Sequence, residues 1–594
     1  MTSSSLAQRA CPVLLALGSA ALYLALAGAP ALVDDDIDAA HALVAHEMLQ
    51  RHDWVVPYQD GIRYLIRPPL HFWLVAESYR IFGETEFATR LPVALAMVGL
   101  VLLTYDFGRR FFGERAGLYA GLAAGTSAGM YVFTRTVIPE AIYALELTAV
   151  FYFFLLAWTG RLDARIGFPA AAAACALAVL TRGPIGLIFP AAAVAVFLTA
   201  TGAWSCWRFL RLPSSVAVFL TIAAPWHIMA ALRAPGWAWA YFVNEHVNRA
   251  LGTRRPHDYG AVPLWLWLLE HLLWLFPWSA YGLLAVRLFP SRERRRDPDD
   301  TATQARVLLF AWAGVIVAFF AVESGSRMEY YSFGAWPALA LLVGAGLAEG
   351  ERSGRGALLW ASRSLAALAA AFAVAAAWFL VRAGAPNGDI TADLRTQNVD
   401  SYTSAMARVG DLTPEALADL RIPILVSALS LGLGFGGSWI LRERRRDAAS
   451  NVMLAAGMCG VFVAANLAYV ALQPSMSSRG LAREIGRTLR PADEIVLYGD
   501  IRLAPGIAFY CRRRVLLYHA AESNLEYGSR YPDAPRTFLS DDEFRSLWSG
   551  PDRVFLVAAA DRDREALGRV SAGSARVFAR SGDKTVYVNR TGEP

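Results

Sequence analysis

The chain has 594 residues, of which 56% are hydrophobic and 18% are charged. Soluble domains carry about 25% charged residues, so this composition excludes a disordered chain, a nucleic-acid-binding module and an ordinary soluble enzyme. It is typical of an integral membrane protein with many spans. The formal net charge of +6 comes almost entirely from arginine, since Lys584 is the only lysine. In a membrane protein this bias reports topology rather than nucleic-acid binding.

Apolar stretches of the length needed to cross a bilayer, about 20 residues, recur along the chain and predict roughly thirteen spans. The first, from Cys11 to Val33, is longer than the core of a signal peptide, so we interpret it as an uncleaved span. The predicted spans cover residues 11–33, 91–111, 116–132, 138–159, 167–181, 184–200, 212–232, 263–288, 306–322, 332–349, 357–381, 421–441 and 449–471.

The arginines test this count independently. With a cytoplasmic N-terminus, every predicted inside connection is basic, ending with the RERRR run that closes at Arg446, as the positive-inside rule requires. An odd number of spans then places the C-terminal region outside. From about Gln473 the composition becomes that of a soluble domain, in which strands such as EIVLYG and RVFLVAAA alternate with predicted helices. The predicted fold is therefore a mostly α, polytopic helix bundle (1–471) followed by a soluble α/β domain (472–594).

The first predicted outside segment, residues 34–90, is called the first loop below. It begins with Asp34, Asp35, Asp36 and Asp38, and carboxylates held together at a membrane surface can have raised pKa values and act as a general base. The alternative is that Asp38 caps a helix beginning near Ala39 while the others are solvated. Replacement of Asp34 by Asn is expected to be mild, because Asp34 is furthest from that helix.

Outside arginines form the second candidate group. In YLIRPPLHFW a helix is predicted to begin at Pro68, which places Arg67 at its N-terminus, where a phosphate is favoured. The alternative is that Arg67 snorkels to the lipid headgroups. Further arginines lie in predicted outside segments, which is contrary to the positive-inside bias. Their location is explained either by a bound lipid phosphate or by an ion pair, such as one between Arg135 and Glu140. These further arginines are Arg135, Arg182, Arg249 and Arg327.

Other signals are weak. The nine histidines form no HxxxH or HExxH pattern, and His246 beside Glu245 is an isolated candidate pair for a metal or substrate. The five cysteines form no CxxC pair, so neither a zinc site nor a disulfide framework is indicated. No nucleotide-binding glycine loop is present.

Several segments, in order, resemble a known family. The first-loop sequence EMLQRHDWVVPYQDGIRYLIRPPLHFW, then LAVLTRGPIGLIFP, FVNEHVNRALG and EYYSFGAWPALALL, are similar to bacterial polyprenyl-phosphate-sugar glycosyltransferases of the GT-C fold. These include the lipid A aminoarabinose transferases and the protein O-mannosyltransferases, which the segments resemble. The resemblance covers nearly the whole chain.

The resemblance implies an enzyme of the bacterial inner membrane with a periplasmic C-terminal domain. It would move a hexosyl or pentosyl group from a polyprenyl-phosphate donor, such as one on undecaprenyl phosphate, to a lipid, glycan or protein acceptor by inverting displacement. A first-loop carboxylate would be the general base, and basic residues would hold the donor phosphate. The candidates are Asp36, Asp38 and Asp35 for catalysis; Arg67, Arg182, Arg249, Arg327 and Tyr330 for the donor phosphate; and Tyr64, Arg135, Glu140, Glu245 and His246 for substrate.

Two departures from the family are visible. Relatives often carry Asp-Glu where the ungapped register puts Ile37 and Asp38, so the base is Asp38, or Asp36 if the loop shifts. Many also carry Glu-Lys where this chain has Ile66 and Arg67, which removes a glutamate that binds metal or substrate in some relatives. No organic cofactor is implied, and a divalent metal ion stays open. The alternative functions are a lipid-linked glycan flippase or a non-catalytic assembly protein, although no inverted repeat supports a transporter.

Overall fold

The computed structural model describes residues 3–34, 37–257, 261–323, 327–382, 418–520, 523–559, 565–566, 568, 575–582 and 584–590. Helices dominate it. The first sixteen α-helices, α1 to α16, are Ser3–Leu24, Asp38–Arg51, Leu70–Phe82, Glu86–Phe112, Glu114–Thr126, Ala128–Val132, Glu140–Trp158, Ala164–Arg182, Ile185–Thr201, Leu212–Arg233, Leu264–Trp274, Gly282–Val286, Arg292–Arg295, Thr301–Val322, Trp336–Ser353 and Arg355–Arg382.

Seven further α-helices follow, three of them around the last membrane segments and four in the C-terminal region. These helices, α17 to α23, are Arg421–Leu431, Gly437–Glu443, Asp447–Met476, Arg479–Thr488, Pro505–Cys511, Glu526–Ser529 and Asp541–Ser549. Short 3₁₀ segments cover Trp204–Leu210, Trp278–Tyr281, Glu329–Ala335 and Ile501–Leu503, and π-helical turns cover Trp239–Asn248 and Gly432–Gly436.

Within the described residues, nine helical stretches are long and apolar enough to span a membrane. Three shorter apolar helices, Cys11–Leu24, Ile185–Thr201 and Leu264–Trp274, also coincide with predicted spans. The multi-span architecture is thus present, and the count of thirteen stays a prediction. The sequence also predicts a polar outside segment at 382–420, which lies almost wholly outside the described residues.

Glycines allow the central membrane helices to approach closely. A Cβ added at Gly117 of α5 would lie 2.6 Å from the carbonyl oxygen of Tyr105 in α4. On the other side, a Cβ at Gly344 of α15 would lie 2.6 Å from the carbonyl oxygen of Ala116 in α5. Small residues at such crossings permit the close backbone packing that stabilises helices in lipid.

The first loop folds into α2, a two-stranded hairpin and α3. The hairpin strands, β1 (Tyr58–Gln59) and β2 (Ile62–Arg63), are joined by Asp60 and Gly61, whose φ angles of +53° and +82° are those of the tight turns that favour Asp-Gly. Buried residues of α2 and α3 share one hydrophobic core with the C-terminal domain. The first loop is therefore packed between the membrane bundle and that domain.

The C-terminal domain contains a six-stranded mixed sheet. Its strands β3 to β8 are Glu494–Tyr498, Leu516–Tyr518, Phe538–Leu539, Val554–Ala559, Arg576–Ser581 and Lys584–Val588. They are ordered β5-β4-β3-β6-β8-β7, with β3 to β6 parallel and β8 antiparallel to β6 and β7. Every residue of β6 is buried, as expected for a central strand covered on both faces. The sequence also predicts a helix near 562–569, and this stretch lies largely outside the described residues.

Candidate active site

A cavity of about 510 Å³ lies between the first loop and the membrane helices. Three predicted site arginines, Arg67, Arg182 and Arg249, line it together with Glu245 and His246. Apolar residues complete its wall, and several of them are strongly exposed, including Ile188 at 50%, Val247 at 52% and Leu251 at 70%. The cavity therefore combines a cationic interior with an apolar opening.

Arg67 is the least compensated charge of this cavity. Its side chain is partly buried, its Nε has no hydrogen-bond partner, and among the described residues no carboxylate lies within ion-pair distance of it. The helix after it begins at Leu70, with Pro69 as N-cap, so it starts two residues later than predicted, and Arg67 lies two residues before the N-cap. Arg67 instead points its charge into the cavity that it lines.

Arg182 closes the cavity from the end of α8. It lies 2.9 Å from Glu140, the first residue of α7, so the expected ion pair of Glu140 forms with Arg182 rather than with Arg135. The chain turns sharply at Gly183, whose φ is +80°. A Cβ there would lie 2.6 Å from Nε2 of His246, so only glycine lets α8 end against this imidazole.

Glu245 organises the opposite wall. It lies 2.7 Å from Arg249 and 2.7 Å from Arg254. Burial raises the pKa of Glu245, but Arg249, Arg254 and Arg67 lower it more strongly, to about 2, so Glu245 is ionised at neutral pH. The pKa of His246 is lowered by burial, which favours a neutral ring, and its Nδ1 lies 2.6 Å from the carbonyl oxygen of Tyr241.

Asp38 is a fully buried ion-pair residue. Its Oδ2 accepts hydrogen bonds from Arg90 at 2.9 Å and from the backbone N–H of Val33 at 2.8 Å, and its Oδ1 accepts from the N–H of Val137 at 2.9 Å. It is the first residue of α2, and Ile37 is the N-cap, so Asp38 does not cap the helix as the alternative supposed. This geometry favours a structural role for Asp38 over a general base. Asp35 and Asp36 lie outside the described residues.

Asp34 joins the start of the first loop to the C-terminal domain. One oxygen lies 3.3 Å from Nζ of Lys584 and 2.5 Å from Oγ of Ser478, and the other accepts from the N–H of Gly506 at 3.0 Å. Burial raises the pKa of Asp34, and these partners oppose the rise. Its side chain is therefore not solvated, contrary to the alternative considered from sequence.

Arg327 has a different role from the one predicted. Its guanidinium donates to the carbonyl oxygens at the end of α14 and to that of Val262, at 2.6–3.1 Å. Nε and Nη2 thus serve the helix C-terminus, where cations are stabilising, and Nη1 serves Val262. Arg327 does not line the cavity. The predicted phosphate contact of Arg327 does not fit this geometry.

The remaining predicted residues do not line the cavity. Tyr330 is buried and its hydroxyl lies 3.4 Å from the sulfur of Met328. Tyr64 is buried edge-to-face against Phe72. Arg135 is buried, lies 4.6 Å over the ring of Tyr131 and donates to a backbone carbonyl, so it belongs to the helix packing.

The site residues selected from sequence omit two polar residues of the cavity lining and one supporting residue. Tyr331 and Glu323 line the cavity, and Arg182 lies 5.6 Å from the ring centre of Tyr331. Arg254 anchors Glu245 from outside the cavity. The EYYSF segment marked Tyr331 as well as its neighbour, but no local pattern distinguishes which of two adjacent tyrosines faces a cavity.

A metal site does not emerge from the described part of the chain. There, no three His, Cys, Asp or Glu side chains come together around a point that could hold a metal ion, and Ile66 offers no ligand. The described residues therefore do not fit such a group.

A polytopic helix bundle, a first loop packed under a soluble domain and an arginine-lined cavity with an apolar opening together define the architecture of a GT-C membrane glycosyltransferase. The chain has that fold over almost its entire length. The crystal structure of ArnT from Cupriavidus metallidurans bound to undecaprenyl phosphate superimposes with a TM-score of 0.80, at 23% identity, over 98% of both chains. The apo structure of the same protein gives a TM-score of 0.77 over 97% of both chains.

Sequence comparisons point to the same class. Residues 66–229 match the family model described as dolichyl-phosphate-mannose-protein mannosyltransferase. The undecaprenyl phosphate-alpha-4-amino-4-deoxy-L-arabinose arabinosyl transferase of Aeromonas salmonicida is 25% identical over 533 residues, 88% of this chain and 89% of the relative. That of Pseudomonas aeruginosa is 25% identical over 518 residues, 86% of this chain and 85% of the relative. The chain is a GT-C membrane glycosyltransferase that resembles aminoarabinose transferases, which confirms the predicted fold class and enzyme class.

Proposed function

We propose that this protein transfers a glycosyl group from an undecaprenyl-phosphate donor to a lipid, glycan or protein acceptor at the periplasmic face of the bacterial inner membrane. The observation that carries the proposal is Arg67. A guanidinium with no carboxylate within ion-pair distance among the described residues lines a cavity with an apolar opening. Removing a charge from water without a partner is unfavourable, so the cavity suits an anion attached to an apolar chain.

The arrangement assigns separate tasks to the two parts of the donor. Arg67, Arg182 and Arg249 offer charge-assisted hydrogen bonds to phosphate oxygens. The exposed apolar side chains at the opening, including Ile188 and Leu251, leave the isoprenoid chain in contact with lipid. Because the phosphate becomes the leaving group, the same arginines also stabilise the charge that develops on it.

The acceptor must be activated from the other side of the sugar. The first-loop acids remain our candidates for the base that takes the acceptor's proton. Since Asp38 is held by Arg90 and two backbone N–H groups, we assign the base to Asp36 or Asp35 and a positioning role to Asp38. The related transferases act on undecaprenyl phosphate-linked aminoarabinose, and a pentosyl donor is the first to test.

The test compares Arg67→Gln, Arg67→Lys and Arg80→Gln in proteoliposomes. Arg80 lies on α3, is 60% exposed and pairs with Glu77, so it controls for charge loss in the same segment. Loss of one charged hydrogen bond, about 1.5–3 kcal/mol, weakens binding of undecaprenyl phosphate by about 10- to 150-fold. Lys should restore part of the affinity, and the control should bind normally. Unchanged donor affinity and turnover in Arg67→Gln would refute the phosphate assignment.

A further inference from the structure

The C-terminal domain is connected by Asn524 to the cavity assigned to the donor phosphate, which is called the donor cavity below. Oδ1 of Asn524 accepts a hydrogen bond of 2.7 Å from Nη2 of Arg254. Nε of the same guanidinium donates to Glu245 at 2.7 Å, and Glu245 lies 2.7 Å from Arg249. Glu245 and Arg249 line the donor cavity, whereas Arg254 and Asn524 do not. A continuous series of polar contacts therefore leads from the domain to the donor cavity.

Arg254 is a fixed member of this series. It is 4% exposed, and each of its three guanidinium nitrogens has an acceptor, since Nη1 donates to the carbonyl oxygen of Pro256 at 2.9 Å. The loop that carries it is closed by Asn244, whose side chain donates to the carbonyl oxygen of Arg255 at 2.6 Å and accepts from its N–H at 3.1 Å. Asn524 thus supplies one of three hydrogen bonds that define the orientation of a buried guanidinium.

Asn524 is itself held by the core of its domain. The next residue, Leu525, is fully buried in the hydrophobic core that the domain shares with the first loop. The N–H of Leu525 donates to Oγ of Ser523 at 3.2 Å, and α22 begins directly afterwards, at Glu526. The amide of Asn524 therefore reaches Arg254 from a turn that is anchored on both sides.

The series divides one negative charge between two arginines. Glu245 is 3% exposed, and its carboxylate pairs with both Arg249 and Arg254. The amide oxygen of Asn524 orients Arg254 but carries no formal charge, so the charge of Arg254 stays directed at Glu245. One carboxylate shared by two guanidinium groups leaves a net positive charge, and Arg249 carries that charge to the cavity it lines.

Loss of the Asn524 contact changes this division. Nη2 of Arg254 then lacks an acceptor in a buried position, which is unfavourable, and the guanidinium turns away from Glu245 to reach another one. Glu245 is left to pair with Arg249 alone. Because a carboxylate and a guanidinium paired one to one carry no net charge, Arg249 then attracts a phosphate less strongly.

We propose that Asn524 is a positioning residue for the donor phosphate and acts through Arg254 and Glu245 on Arg249. The inference rests on the proposed function and deepens it, because it makes the C-terminal domain a part of the donor site. Asn524 fixes the orientation of Arg254 and thereby the charge that Arg249 offers to the donor. Donor affinity is therefore coupled to the seating of the domain on the loop that follows α10.

The experiment measures the affinity of the full-length protein in nanodiscs for undecaprenyl phosphate and for undecaprenol, which has the same chain without the phosphate. Asn524→Ala should weaken binding of undecaprenyl phosphate by about 2- to 30-fold, the range for substitutions that act on a ligand through intervening residues. Binding of undecaprenol should stay at the wild-type value, because Arg249 acts on the phosphate. Equal weakening for both ligands would indicate a deformed cavity and overturn the proposal.

Tyr531→Phe is the matched control. The hydroxyl of Tyr531 donates to the carbonyl oxygen of Pro235 at 2.6 Å, so this substitution removes another contact between the domain and the same loop without altering Arg254. The variant should bind undecaprenyl phosphate as the wild type does. A loss of affinity equal to that of Asn524→Ala would mean that any weakening of the domain contact suffices, and it would overturn the role of Asn524.

Arg249→Gln tests the route of the effect. When Arg249 is absent, adding Asn524→Ala should cause no further loss of affinity, whereas in the Arg67→Gln background its effect should persist. An undiminished effect in the Arg249→Gln background would overturn the proposal. Failure of the proposed function is distinguishable, since it would appear as absent binding of undecaprenyl phosphate to the wild type. Wild-type binding that Asn524→Ala leaves unchanged would refute only the role of Asn524.

Discussion

The assignment of Asp38 to structure rather than catalysis makes a quantitative prediction for Asp38→Asn. The carboxylate is 0% exposed and pairs with Arg90, which is 1% exposed. In the variant one amide NH₂ replaces an oxygen, so at least one of the three donors facing residue 38 meets another donor. Removing one partner of a buried ion pair costs about 3–5 kcal/mol.

The other hydrogen bonds of Arg90 reduce the loss of stability expected for Asp38→Asn. Its guanidinium also donates to the carbonyl oxygens of Ala27, Pro30 and Ala31, at 2.6–3.3 Å, so its charge retains polar partners after the substitution. We therefore expect a loss near the lower end, about 3 kcal/mol. Arg90→Gln should cost a similar amount, and the double variant should cost less than the sum of the two because the residues interact directly.

The assay follows thermal unfolding of purified wild type, both single variants and the double variant, and then measures turnover per folded molecule. A structural role predicts that Asp38→Asn and Arg90→Gln lose stability together. A general base at Asp38, the other prediction from sequence, would instead make Asp38→Asn lose activity without losing stability. If Asp38→Asn unfolds at the wild-type temperature and has no turnover, the structural reasoning is refuted and Asp38 returns as the base.

Three further predictions concern the loop and the cavity. Burial and the neighbouring Glu47 raise the pKa of Asp60 from 3.8 to about 7. The contribution of Asp60 to the free energy of unfolding therefore falls as the pH rises from about 4 to 7, by at most about 4 kcal/mol. When the unfolding temperature is measured across this pH range, Asp60→Asn should remove that dependence. Gly183→Ala should weaken undecaprenyl phosphate binding, whereas Gly202→Ala, also at positive φ but with its nearest neighbour 3.8 Å away, should not. Lys584→Met should lower the unfolding temperature, since it breaks the buried pair with Asp34, and an unchanged temperature would restore the view that Asp34 is solvated.

The membrane bundle could be predicted well because its signal is local. Apolar runs and alternating basic connections are read from composition, and α7, α14 and α16 begin and end within a few residues of the predicted spans 138–159, 306–322 and 357–381. The parallel strands β3 and β6 were also visible, because buried parallel strands are continuous apolar runs. Short helices such as α5 and α6 were merged into one predicted span, since periodicity does not reveal the break at Ser127.

The sequence predicted most of the charged residues of the candidate site but not which of them form ion pairs with one another. Arg67, Arg182 and Arg249 were identified and do line one cavity. Sequence suggested Arg135 as the partner of Glu140 because the two are five residues apart, but the fold gives Glu140 to Arg182. Arg327 was predicted, like the others, as an outside arginine that binds phosphate, but its guanidinium donates to carbonyl oxygens at the end of α14 instead. Which buried charge faces a cavity is decided by tertiary contacts between segments far apart in the chain.

The charge balance of the donor cavity favours the departing phosphate over the bound donor. Two of its arginines, Arg182 and Arg249, are paired with Glu140 and Glu245, whereas Arg67 has no such partner among the described residues. The donor phosphodiester carries one negative charge, and the phosphate monoester left after transfer carries between one and two near pH 7, with a second pKa of about 6. A guanidinium that lies outside ion-pair distance of every described carboxylate therefore stabilises the departing phosphate more than the bound donor, which lowers the barrier rather than only tightening the ground state. In this chain position 66 is the apolar Ile66, so the residue next to Arg67 supplies no carboxylate that would offset its charge.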